Sequence, residues 1–262
     1  MSPAPAASAP LLCVEGVCVR FGGIVALDGI SFDVARGQIC GLIGPNGAGK
    51  TTLFNCLSRL YAPQQGAIRF DGRPLLRESR HRIARIGIAR TFQNLALFRT
   101  MTVLENVMIG AHGGARGGFL VDALALPLAA REERRLREGA MALVEEFGLA
   151  LVAAAPAGAL PFGAQKRVEL ARALASAPKL LLLDEPAGGL NHEEVDRLRG
   201  EIVGIRDRRG VTVLLVEHHM NLVMRVSDQV VALNFGRKIA DGPPGAVQRD
   251  ADVIRAYLGD AA

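Results

Sequence analysis

The ten residues GPNGAGKTTL, Gly44–Leu53, constrain this chain more than any other stretch. They follow GQICGLIG (Gly37–Gly44), a short apolar run of the kind that forms a buried parallel strand. They lead into KTTLFNCLSRL, where Leu53, Phe54, Leu57 and Leu60 recur at helical spacing. The spacing Gly44-x4-Gly49-Lys50-Thr51 lets successive backbone N–H groups converge on an anion, because glycine brings backbone close without a Cβ. The helix starting near Lys50 adds its positive end. Lys50 is placed to reach the terminal phosphates, and the Thr51 hydroxyl to ligate Mg²⁺. Gly44, Pro45, Asn46, Gly47, Ala48, Gly49, Lys50, Thr51 and Thr52 therefore read as a triphosphate cradle. A plain glycine-rich turn is the competing reading, and the strand–loop–helix order argues against it.

Three more apolar runs follow: KLLLLDEP (Lys179–Pro186), VTVLLVEHH (Val211–His219) and QVVALNFG (Gln229–Gly236). The helical patterns EEVDRLRGEIVGIRDRRG and HMNLVMRVSD separate them. Strands alternating with helices predict α/β, a P-loop NTPase core with a mostly parallel sheet. CVEGVCVRF, GISFDV and GAIRFDG read as an antiparallel β edge. From Thr102 to Ala177 helices and glycine-rich loops replace strands, which predicts an inserted helical subdomain. There EERRLREGAMALVEEFGL puts Leu136, Leu143, Val144 and Phe147 on one face, with Glu132 and Glu133 in its first turn. The glycines from Gly110 to Gly118 read as a flexible loop. At the end of the four-leucine strand, Asp184 is placed to hold Mg²⁺ and Glu185 to polarise an attacking water.

Half of the 262 residues are hydrophobic, enough for a sizeable core. The net charge of +5 is spread along the chain, and its densest block, REERRLRE (Arg131–Glu138), mixes both signs. That is a solvated helix face, and no nucleic acid is expected as a partner. Cys13, Cys18, Cys40 and Cys56 form no CxxC pair, so reduced thiols are expected. MSPAPAASAP lacks the charged start and apolar stretch of a signal peptide and reads as a disordered tail over 1–10. Nothing approaches the roughly 18 apolar residues of a membrane span; work at a membrane would need a membrane-spanning partner.

LPFGAQKRVELARALASAP (Leu160–Pro178), just before the acidic strand, resembles the signature segment of ATP-binding-cassette proteins. Other cassette motifs follow in order: Phe21 in RFGGIVALDGISF resembles the adenine-stacking aromatic, Gln93 in RTFQNLALF the glutamine loop, AGGLN (Ala187–Asn191) the loop touching the opposite subunit, and His218 the switch histidine. RFGGIVALDGISF, RTFQNLALFRTMTVLENVMIG, LLVEHHMNLVM and LNFGRKIADGPPGAVQRDADVIRAYLG further resemble the larger ATPase subunit of branched-chain amino-acid importers. The resemblance implies a single ATPase domain over 11–250, its helical insertion over 94–177, and a C-terminal extension over 251–262. It implies ATP with Mg²⁺ on Thr51, Gln93 and Asp184, catalysis by Glu185 and His218, and Gly163 and Gln165 contacting the ATP of the opposite subunit. It also implies two transmembrane permease subunits, a second ATPase subunit and, indirectly, a periplasmic solute-binding protein. The chain would then sit in the cytoplasm, peripheral on the inner face of the bacterial plasma membrane.

Two departures stand out. Pro161 occupies the usual serine of the signature and supplies neither hydroxyl nor N–H; Phe162 replaces its first glycine. Either this site grips ATP less firmly or a different partner contributes the fuller signature, and the resemblance favours a heterodimer. His219 competes with His218 for the switch role and could instead cap a helix. Phe21 could be plain core. A cassette ATPase acting on DNA or the ribosome is the alternative function; its relatives carry two cassettes or long coiled-coil arms, and this chain has one cassette and no sustained heptads. A P-loop kinase or GTPase would leave the signature unexplained.

Overall fold

The computed structural model describes residues 9–91, 95–112 and 127–258. Gln93, most of the expected tail and the 113–118 glycines lie outside them. In chain order the strands are β1 (Leu12–Phe21), β2 (Ile24–Val34), β3 (Ile39–Ile43), β4 (Gln65–Phe70), β5 (Arg73–Pro74), β6 (Ile88–Arg90), β7 (Leu180–Asp184), β8 (Thr212–Val216), β9 (Gln229–Asn234) and β10 (Arg237–Gly242). The helices are α1 (Lys50–Leu57), α2 (Ile83–Ile86), α3 (Val103–His112), α4 (Pro127–Glu146), α5 (Phe162–Leu174), α6 (His192–Arg209), α7 (Met220–Val226), α8 (Pro244–Val247) and α9 (Ala251–Leu258). The chain divides into two units, one of 1–80, 182–185 and 202–262, the other of 81–181 and 186–201.

In the first unit, β1 alternates: Leu12, Val14, Val17 and Val19 are buried between more exposed neighbours. That alternation, shifted once by an irregularity in the pairing between Val14 and Val17, makes a half-buried antiparallel sheet, ordered β2-β1-β4-β5. The central strands differ. β3, β7 and β8 are buried at every residue, as strands covered on both faces must be. They lie in the order β10-β9-β3-β8-β7. β3 runs parallel to both neighbours, with Gly41 opposite Leu215 on one side and Val230 on the other. The expected mostly parallel core is therefore present. β10 was not foreseen. It returns antiparallel on β9 through Phe235-Gly236, both at positive φ (44° and 78°), the backbone that a tight right-twisting hairpin needs.

In the second unit, β6 lies beside the start of β7, where Lys179 and Leu180 both donate to the Gly87 carbonyl (2.8 and 3.0 Å). Among the described residues the rest of this unit is helices and the turns that join them. Thr102 and Glu105 form a reciprocal cap at the start of α3, and α3 packs against α4 and α5. On α4 and just beyond it, Leu143, Val144 and Phe147 are buried and Leu136 half-buried. The helix begins at Pro127, so Glu132 and Glu133 are past its first turn, contrary to expectation. Proline is favoured at a helix start because its missing N–H has no helical partner to lose. Among the described residues, no helix is long and apolar enough to cross a membrane.

Candidate functional site

The glycine loop springs from the C-terminal end of β3, in the first unit. Gly44 has φ of 151°, and a Cβ there would lie 2.3 Å from the Leu233 carbonyl oxygen. Gly49 N-caps α1 in the left-handed region at φ 103°, where a Cβ would meet the Ala26 carbonyl oxygen at 2.6 Å. Both positions exclude side chains by contact as well as by backbone angle. Lys50 is 6 % exposed. Its ammonium donates to the carbonyls of Gly44 (2.6 Å) and Pro45 (2.9 Å), so it folds back over the mouth of the loop. Burial draws its pKa down, while Glu185 and Asp184 draw it back up. Thr51 stands exposed in the first turn of α1, with Thr52 half-buried beside it. A bare-backbone loop, a positive helix end and a held ammonium make a cradle suited to phosphate.

The carboxylates come from β7. Asp184, its last residue, is 5 % exposed. Glu185 turns out of the strand at φ +48°, a left-handed conformation that costs a non-glycine residue about 1–2 kcal/mol. Its N–H is tied to the Val216 carbonyl at the end of β8 (2.9 Å). Its Oε1 then lies 2.7 Å from His218 Nε2. It is the His218 ring that reaches Glu185; His219 is the N-cap residue of α7 and makes no side-chain cap bond. Strain held by neighbouring structure is a common mark of a functional position.

Two residues near this site were not singled out from the sequence. Glu217 is 1 % exposed at the end of β8, and its Oε2 accepts from the N–H groups of His218 (2.9 Å) and His219 (3.2 Å). It shapes the backbone turn that carries the histidine. A charged residue closing an unbroken apolar strand was the available signal, the same one that marked Asp184. Tyr61 sets its ring edge-on to Phe21, with centroids 5.2 Å apart at 69°. Phe21 is 46 % exposed at the end of β1, so it is not core, and the pair presents an aromatic surface suited to a planar base.

The signature segment lies in the second unit. Pro161 N-caps α5 and Phe162 is its first residue. A Cβ on Gly163 would meet Glu194 Oε1 at 2.2 Å. That carboxylate is not free to swing aside, because its Oε2 accepts from the Asn191 N–H (3.0 Å) while Asn191 Oδ1 accepts from the Glu194 N–H (3.0 Å). The Gln165 amide donates to the Leu160 carbonyl (2.8 Å), within its own segment. The Phe162 ring lies against Gly189 of the AGGLN loop, with the Lys166 ammonium 5.6 Å from its centroid. The Phe162 ring thus joins the signature to that loop.

Comparison with known proteins agrees with this geometry. The family described as "ABC transporter" matches residues 27–188, and that described as "Branched-chain amino acid ATP-binding cassette transporter" matches 237–262. The chain is 45 % identical to the high-affinity branched-chain amino acid transport ATP-binding protein BraF of Pseudomonas aeruginosa, over 97 % of this chain and all of that one. It is 41 % identical to LivG of Escherichia coli strain K12, with the same coverage. Among solved structures, a nucleotide-free ATP-binding cassette from an ABC transporter aligns with a TM-score of 0.83 at 29 % identity, over 96 % of this chain and 100 % of that one. The ADP conformation of such a cassette aligns with a TM-score of 0.83 at 30 % identity, over 97 % and 100 %. With cradle, acidic strand end and signature all present, the chain belongs to the ABC transporter family of nucleotide-binding ATPase cassettes.

Proposed function

We propose that this ATPase subunit drives import of branched-chain amino acids or a related small polar solute, by closing on ATP against a second cassette and opening after hydrolysis. The observation that carries the chemistry is the 2.7 Å contact between Glu185, just after β7, and His218, just after β8, with β8 lying between β7 and the strand that feeds the Lys50 loop. The solute class rests on the relatives' names and on the match over 237–262.

In this reading the backbone from Gly44 to Thr52 and the Lys50 ammonium hold the phosphates, and Phe21 stacks on the adenine. Thr51 and Asp184 offer hard oxygen donors that fit Mg²⁺, with Gln93 assigned by resemblance; the ion would neutralise charge on the phosphates. Glu185 accepts a proton as water oxygen bonds to the γ-phosphorus; the bond to the bridging oxygen breaks, and ADP leaves with its electron pair. His218 orients the Glu185 carboxylate and the water. Gly163 and Gln165, at the start of α5, face the ATP of the opposite subunit, where the helix end favours the γ-phosphate. Because Pro161 brings no hydroxyl to that contact, the partner is read as a different ATPase with a fuller signature. Two permease subunits and a periplasmic binding protein complete the importer, which places this chain on the inner face of the plasma membrane.

Glu185→Gln tests the chemical assignment. The amide keeps the shape and cannot take the proton, so ATP binding should persist while turnover falls about 10²–10⁴-fold. Turnover within a few-fold of the native rate in that variant would remove Glu185 as the base.

A further inference from the structure

The C-terminal helix touches the root of the phosphate loop. Asp250 caps α9 by accepting from the N–H groups of Asp252 (2.8 Å) and Val253 (3.3 Å), and Val253 anchors the helix in the core. At the far end, Tyr257, 38 % exposed, accepts a hydrogen bond from the Gly44 N–H at 2.7 Å, across 213 residues of sequence. Gly44 lies one residue beyond the last β3–β9 pair, Ile43 opposite Ala232. Its N–H has left the ladder and needs a partner; Tyr257 supplies it. The Gly44 carbonyl in turn accepts from the Lys50 ammonium at 2.6 Å. One residue of the loop is therefore held through its N–H by α9 and through its C=O by the phosphate-binding lysine. A cavity of about 420 Å³ lies between Pro45, Asn46 and Ala48 of the loop and Asp252 and Arg255 of the helix. The hydroxyl thus reaches the loop root, while its outer residues keep room to rearrange. Burial raises the Tyr257 pKa and the Gly44 N–H lowers it; the phenol remains a neutral acceptor near pH 7.

We infer that Tyr257 is a positioning residue for nucleotide binding: its hydroxyl fixes Gly44, so that when Lys50 exchanges carbonyl oxygens for phosphate the loop root does not move. The inference rests on the assignment of Gly44–Thr52 as the ATP cradle. Linkage makes it reciprocal, so nucleotide in the loop must also tighten α9.

The experiment uses the full chain and two readouts: equilibrium affinity for a fluorescent ATP analogue, and amide hydrogen exchange over 251–258 with and without ATP. Loss of one hydrogen bond predicts that Tyr257→Phe binds the analogue about three- to tenfold more weakly. In the native chain, ATP should slow exchange over 251–258, and in Tyr257→Phe it should not. A variant with native affinity overturns the inference, even if its nucleotide-free unfolding temperature drops, since the tyrosine would then be structural only. So does native exchange over 251–258 that ignores ATP, a readout that needs no variant. Lys50→Ala separates the two assignments. Binding that Lys50→Ala abolishes and Tyr257→Phe leaves intact sinks this inference alone; a native chain that binds no ATP sinks the cradle with it.

Discussion

Glu217 puts a carboxylate where β8 is otherwise sealed by apolar residues, and it uses that charge on backbone rather than on substrate. Truncation would leave two N–H groups without their acceptor, at about 1–3 kcal/mol. Glu217→Ala should therefore lower the unfolding temperature and loosen the turn that aims His218 at Glu185. The turnover number should fall more than the KM for ATP rises, and Glu217→Gln, which keeps an acceptor oxygen, should recover much of both. Steady-state kinetics beside thermal unfolding checks this; equal losses in turnover for the two variants would point to the charge itself. Asp184 and Glu185 could be read from the chain because four leucines run straight into them. What could not be read is how Glu185 turns. Its positive φ follows from the pairing of its N–H with Val216, on another strand.

At the scale of elements, α5 and α6 enclose a small cavity lined by Arg167, Glu194, Arg197 and Glu201. Burial pushes the Glu201 carboxyl up to about 7 from its ordinary 4.5, against the downward pull of Arg167 and Arg197. A raised carboxyl favours the folded state when protonated. Its contribution is complete below pH 4.5 and is lost as pH rises through 7. Stability of the native chain should therefore decline between these values relative to Glu201→Gln, whose amide does not titrate. Unfolding temperatures of both proteins at pH 5.5 and 8 measure this, and parallel pH profiles would contradict it. The helical periodicity of α4 was legible because its apolar face repeats; its true start at Pro127 was not, because helix ends depend on local capping more than on period. β10 was missed for a related reason. RKIADG alternates weakly, and it becomes a strand through the Phe235-Gly236 turn and the pairing that β9 offers.

At the scale of the whole molecule, the chain carries the glycine loop, the acidic pair and His218 in one unit and the segment Leu160–Pro178 in the other. A cassette of this kind acts through partners. Mild-detergent purification of the tagged protein from its native membranes should recover two permease subunits and a second ATPase, identifiable by mass spectrometry. Recovery of ribosomal proteins or nucleic acid without a permease would overturn the transport assignment and leave the ATPase chemistry standing.

The sequence by itself determined the cradle, the acidic strand end, the alternation of strands and helices, and the family resemblance. All of these are local: a glycine's missing Cβ, a run of leucines and a helical repeat keep their meaning whatever surrounds them. The tertiary structure decided what lies far apart in the chain. β3 sits between β8 and β9, and no local pattern states that order. Equally non-local are the His218 ring on Glu185, the Tyr61 edge on Phe21 and the Tyr257 hydroxyl on Gly44. Such contacts arise where strand pairing and helix docking bring groups distant in sequence together, as at Gly44, whose N–H has left the ladder and needs a partner.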